Sequence, residues 1–172
     1  GPVWSPTFHP ADAALDRYRC RHGMGYTVFE TAKDGLAAEL TFFVPIGENC
    51  EVQRVAVRNE SKLAKAFRLT AAVEWCLWNA VDDSTNFQRN LNIGEVEKED
   101  SILYHTTEYR ERRDHYAYYG VNAPIAGYDT DRDSFLGQFG TFAAPQAVVK
   151  GKTGDFLVHG GAPMAGLALD VT

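Results

Sequence analysis

The chain has 172 residues, a formal net charge of −6 and a pI near 5.3, with 45% apolar and 12% aromatic residues. That is enough apolar material for one sizeable core. The acidic balance argues against nucleic acid as a partner, because phosphate recognition is driven by cationic side chains. No apolar run approaches the roughly 20 residues a membrane helix needs, so no membrane association is expected.

The opening "GPVWSPTFHP" carries no basic segment followed by an apolar one, as a signal peptide would. It also lacks an initiator methionine, so the chain reads as a piece of something longer. "CRHGMGY" (Cys20–Tyr26) reads as a turn that needs positive φ at glycine. "YTVFETA" and "LAAELTFFV" flank "KDG", an Asp-Gly hairpin signal. In the second of these, Leu36, Ala38, Leu40, Phe42 and Val44 share one face. "EVQRVAVRN" follows the turn "PIGEN". Next, "AFRLTAAVEWCLWNA" (Ala66–Ala80) alternates with period two: Phe67, Leu69, Ala71, Val73, Trp75 and Leu77 are predicted on one face. "ILYHTTE", "HYAYYGVN", "DFLVHG" and "AGLALDVT" are shorter predicted strands. Many short strands joined by turns predict an all-β antiparallel sandwich occupying residues 1–172 as one domain, incomplete at both ends of the sheet.

Three cysteines (Cys20, Cys50, Cys76) without paired spacing argue against a disulfide framework and for a reducing compartment. His9, His22, His105, His115 and His159 are scattered, and Cys20 with His22 offers two ligands where structural zinc wants four. No metal or cofactor is expected.

Two stretches are richer in directed hydrogen-bonding groups than a solvated connection requires. "DDSTNFQRNLNIGEVE" sets Gln88, Arg89 and Asn90 behind two acids, with Phe87 and Leu91 able to anchor the loop. Local backbone capping accounts for Asp82 to Ser84 but not for Gln88, Arg89 and Asn90. "YRERRDHYAYY" concentrates Tyr109, Arg110, Arg112 and Arg113 with two acids. Charge pattern alone reads it as a solvated, salt-bridged edge that discourages strand-to-strand aggregation. "GYDTDRDSFLG" lacks the regular ligand positions and closing glutamate of an EF-hand loop and reads as a polar loop. These residues leave two function classes open: a sugar-binding surface, or a structural domain supporting a catalytic domain that is not in this chain. A self-contained hydrolase ranks third, since no pair of carboxylates stands out as flanking a scissile bond.

In order, "WSPTFHP", "RCRHGMGYTVF", "VEWCLWNAVDD", "DDSTNFQRNLNIGEVE" and "YHTTEYRERRDHYAYYGVNAPIAGYDTDRDSFLG" resemble the N-terminal β-sandwich domain of cellobiose phosphorylases, from Trp4 to Val171. The "TNFQRNLNIGEVE" string is closer to these than to the chitobiose-cleaving relatives. Departures are small, such as "GMGY" where "GLGY" is common, and leave the polar groups in place. The resemblance implies cytoplasmic homodimers that convert cellobiose and inorganic phosphate, a co-substrate, into α-D-glucose 1-phosphate and glucose with inversion. It places the general acid in an α/α barrel outside this chain, so no catalytic residue is assigned here. It implies that Gln88, Arg89 and Asn90 bind the acceptor-side glucose, with Phe87 supporting the loop. It also makes Tyr109, Arg110, Arg112 and Arg113 subunit or domain contacts. Other β-glucoside or cellodextrin phosphorylases, and a non-catalytic carbohydrate-binding sandwich, are the alternatives.

Overall fold

A computed structural model describes residues 2–75, 81, 94–107 and 116–172. It divides into two units, Gly1–Lys65 and Ala66–Thr172.

The first unit is a four-stranded antiparallel meander in the order β1-β2-β3-β4, with β1 Arg17–Gly23, β2 Tyr26–Lys33, β3 Leu36–Phe43 and β4 Val52–Asn59. Its hairpins follow the chemistry of their turns. Asp34 and Gly35 both take positive φ (50° and 77°), the two-residue geometry whose twist matches the flanking strands. Gly25 takes φ 85° between β1 and β2, while Cys20–Gly23, read from sequence as part of that turn, already belong to β1. The strict period of two sorts the two faces. Cys20, Phe29, Leu40 and Val55 lie side by side in register, and Phe29 meets Phe42 edge-on at 5.9 Å. The opposite face carries Arg19, Glu30 and Glu39 in register, with Arg21–Glu30 at 3.1 Å and Arg54–Glu39 at 3.0 Å. These exposed pairs favour the register and contribute little energy.

The second unit contains two three-stranded antiparallel sheets. One runs β5-β10-β9 (β5 Phe67–Glu74, β9 Gly127–Asp131, β10 Pro163–Val171). The other runs β6-β7-β8 (β6 Gly94–Glu99, β7 Ile102–Thr107, β8 Tyr116–Gly120). Between them lie Val96, Leu103, Val158, Ala165 and Leu167, joined by Val73, Trp75, Tyr119 and Tyr128. The predicted antiparallel sandwich is therefore present, with β10, the last strand, central in its sheet because it is apolar along nearly its whole length. Arg68 on β5 donates through Nε and Nη2 to Asp170 on β10 at 2.7 and 2.9 Å, and through Nη1 to the Gly151 carbonyl. That fork holds Asp170 below the usual carboxylate range and raises Arg68 further. Of the Ala66–Ala80 strand predicted from alternation, Phe67–Glu74 is strand, and Cys76–Ala80 fall outside the described residues.

Three predicted elements are corrected. "GYDTDRDSFLG" is not a loop: Gly127–Asp131 is β9 and Arg132–Leu136 is a short helix, α1. Asp131 caps α1 by accepting from Ser134 N at 2.9 Å, and the helix buries Phe135 and Leu136 against Ala147 and Met164. A second helix, α2 (Gln146–Lys150), begins after Pro145 and ends at Gly151 in the left-handed region. "DFLVHG" is not a ladder strand: Asp155 and Gly160 take positive φ, and the segment makes an isolated bridge, His159 with Glu95. The Thr130 hydroxyl takes the place of a ladder partner there, donating to Phe156 O at 2.8 Å and accepting from Val158 N at 2.9 Å. Finally, Gly94–Glu97, read as the tail of a connection, opens β6.

Candidate functional site

The polar residues singled out in the sequence lie on two connections whose anchors converge. The chain leaves β5 at Glu74 and enters the other sheet of this unit at Gly94; it leaves β7 at Thr107 and returns at Tyr116. Gly94 faces Thr107, and Thr106 faces Tyr116, so the end of one connection and both ends of the other are neighbours. Gly160 N donates to Gly94 O at 3.0 Å and Val96 N to Val158 O at 3.3 Å, tying this edge to the segment that leads into β10. Glu74 pairs with Met164 at the start of β10. The two connections therefore spring from one end of the second unit. Phe87, Gln88, Arg89, Asn90, Tyr109, Arg110, Arg112 and Arg113 themselves lie outside the described residues.

Three features of this end were not singled out from the sequence. Glu74 accepts from Arg132 Nε at 2.6 Å, fixing the end of β5 to the start of α1, and the Arg132 guanidinium lies 5.7 Å from the Phe142 ring centre. His105 on β7 is buried (1% exposed), stacks on Trp75 at 4.9 Å, and leaves Nδ1 without a hydrogen-bond partner. The signal in the sequence was its parity: His105 follows Leu103 by two, so both face inward. Asp129 on β9 is 2% exposed; Oδ1 accepts from Gly154 N at 2.8 Å and Oδ2 has no partner. Burial pushes Asp129 upward, its bond from Gly154 opposes that, and the carboxylates of Asp155 and Asp131 add to the rise.

Burial lowers His105 below the ordinary imidazole value of 6.5, and a hydrogen bond with the Glu95 backbone partly offsets this. The folded state therefore binds this proton less readily than the unfolded chain does. Stability from a neutral His105 is complete above pH 6.5 and is lost as pH falls below it, by up to about 1.4 kcal/mol per pH unit until the folded imidazole itself titrates. Asp129 acts in the opposite direction, its contribution present below the ordinary carboxyl value and lost as pH rises through the raised one. Urea unfolding at pH 7 and pH 5.5 should show a lower midpoint at pH 5.5, and His105→Phe should flatten that difference. An unchanged pH dependence in the variant would show that His105 is not the group responsible.

Cys20 Sγ and His22 Nε2, weighed from sequence as two metal ligands, are 3.5 Å apart, and His22 Nδ1 is occupied by Thr27 Oγ1 at 3.0 Å. Among the described residues no group of three His, Cys, Asp or Glu side chains is placed to hold a metal ion. Cys20 and Cys50 are free thiols.

The family model for the glycosyl hydrolase 94 supersandwich domain matches residues 1–172, and the chain belongs to this family. It is 31% identical over 154 residues to a solabiose phosphorylase from Paenibacillus borealis, covering 88% of this chain and 20% of that protein. It is 31% identical over 156 residues to an N,N'-diacetylchitobiose phosphorylase from Vibrio furnissii, covering 88% and 19%. It is 33% identical over 168 residues to the cyclic beta-(1,2)-glucan synthase NdvB of Rhizobium meliloti (strain 1021), covering 93% and 6%. The chain thus spans about a fifth of the length of the two phosphorylases it matches.

Proposed function

We propose that this chain is the N-terminal supersandwich part of a cytoplasmic, homodimeric disaccharide phosphorylase, acting on cellobiose with inorganic phosphate to release α-D-glucose 1-phosphate and glucose. Membership in a family whose matched relatives include two phosphorylases carries the reaction class. The cellobiose preference is supported by the "TNFQRNLNIGEVE" string.

The chemistry fits a divided site. Phosphate is already an anion, so the second carboxylate that an inverting hydrolase needs to activate water is dispensable. What remains is to hold two sugars and phosphate in line while an acid, supplied by the α/α barrel, protonates the departing oxygen. The pairing of Gly94 with Thr107 and of Thr106 with Tyr116, which brings the end of 75–93 beside both ends of 108–115, supports a role for these connections in gripping the acceptor-side glucose. In this reading Arg89 supplies a rigid fork of donors, Gln88 a donor and an acceptor, and Asn90 shapes the loop, with Phe87 as its anchor. Tyr109, Arg110, Arg112 and Arg113 serve the subunit or domain contact.

The test is product analysis by the complete enzyme. Proton NMR during incubation with cellobiose and phosphate should show α-glucose 1-phosphate and glucose appearing in equal amounts, with no turnover when phosphate is omitted. Release of two glucose molecules per cellobiose without phosphate would replace phosphorolysis by hydrolysis, and turnover of another disaccharide alone would move the specificity.

A further inference from the structure

The inward parity of Val96, Leu103 and His105 leaves the alternate residues of β6-β7-β8 on the sheet's outer face. There the register sets Glu97, Tyr104 and Tyr118 side by side, and places Tyr116 two residues before Tyr118 on the same strand. Tyr116 is 70% exposed and Tyr118 61%. Glu95, Glu97 and Glu99, all exposed, form a row along β6 parallel to the tyrosines. Neighbours two apart on a strand stand about 6.7 Å from each other, and directly opposed ones about 5 Å, so the three phenol rings fall within one contiguous strip. Lys98, the cation of β6, points to the other side, 5.5 Å from the Tyr128 ring. His159 Nδ1 stands 3.4 Å from Glu95 at one end of the row.

We infer that this face is a saccharide-binding platform, made of other residues than those proposed for the acceptor-side glucose and taking a neutral β-glucan chain. Charge and hydrogen-bonding capacity choose the occupant. Three carboxylates repel an anionic polymer, and apart from the phenol hydroxyls they only accept hydrogen bonds. Exposed tyrosine rings offer broad apolar faces with a polar tip. A ligand that suits both must be uncharged, rich in hydroxyl donors at its rim and apolar on its ring faces, which describes a pyranose laid flat on the tyrosines with its hydroxyls along the glutamates. A basic protein segment would satisfy the carboxylates as well. Membership in a carbohydrate-active family favours the sugar.

The experiment is native gel electrophoresis of the 172-residue chain with and without soluble mixed-linkage β-glucan in the gel, no phosphate being present. Its outcome is thus independent of whether the complete enzyme phosphorolyses cellobiose. Wild type should be retarded at least twofold by the glucan. Tyr116→Ala with Tyr118→Ala should run as in the glucan-free gel while keeping the wild-type circular dichroism spectrum. Glu97→Gln, which keeps shape and removes charge, should weaken retardation severalfold and serves as the second variant if the tyrosine pair disturbs β8. Absence of retardation in wild type, or retardation undiminished in correctly folded variants, overturns the platform. So does a gel in which a lysine-rich peptide, and not the glucan, shifts the chain.

Discussion

Leu103→Ala is expected to destabilise the second unit by about 2–5 kcal/mol, the range for removing a fully buried leucine side chain. Leu103 is 0% exposed on β7, the middle strand of its sheet, against Val96, Val158, Ala165 and Leu167. Those neighbours come from three separate segments, β6 and β10 held in backbone ladders and the Val158 stretch bonded to Val96 and to the Thr130 hydroxyl, so collapse into the vacated space is restricted and the cavity cost stays high. Urea unfolding followed by tryptophan fluorescence measures it. Leu63→Ala provides the control: Leu63 is 75% exposed, and its replacement should change stability by no more than about 0.5 kcal/mol. A loss below 1 kcal/mol at Leu103, on the same scale as that surface background, would mean that the two sheets of the second unit do not share this core.

Gly94→Ala is the second large effect, and its consequence reaches further than stability. A Cβ at this position would lie 2.1 Å from the Thr106 carbonyl oxygen and 2.5 Å from His105 Cε1. The first obstacle is backbone and the second a buried ring stacked on Trp75, so neither can swing aside. Relief requires β6 to move off β7 at the point where the 75–93 connection enters the sheet, at a cost of about 1–3 kcal/mol or more. Thermal unfolding of the chain should show a clear drop in midpoint. In the complete enzyme the acceptor-side reading predicts a rise in KM for glucose in synthesis as well, because the loop's anchor has shifted. Wild-type stability in this variant would show that Gly94 is not packed against β7 as described.

Three of the first unit's four strands were legible in the sequence, whereas β1 was not, because its Cys20–Gly23 reads as part of a turn. Asp34-Gly35 announces its hairpin through local backbone chemistry, and period-two alternation continues without interruption on either side. Legibility failed where a few residues do two jobs. Asp131 ends β9 and at once caps α1 three residues on, and Thr130 substitutes a hydroxyl for a strand partner, bonding to Phe156 and Val158 more than twenty positions away. Five-residue helices such as α1 and α2 are also too short to show a helical period. The candidate site divides in the same manner. The density of amide and guanidinium groups from Gln88 to Asn90 is visible in the sequence, whereas the convergence of its connection with 108–115 follows only from the Gly94–Thr107 pairing. Buried polar groups such as His105 and Asp129 become meaningful only once burial is known.

Steady-state synthesis kinetics of Arg89→Ala in the complete enzyme, with glucose varied against saturating α-glucose 1-phosphate, bear most directly on the role assigned to this domain. Loss of a forked donor to a sugar hydroxyl predicts KM for glucose raised roughly tenfold or more, in line with about 1.5–3 kcal/mol for a charged hydrogen bond, and an unfolding midpoint matching wild type. Acceptor kinetics that match wild type in a correctly folded variant would contradict the account, leaving the sandwich as a support that never touches the sugar.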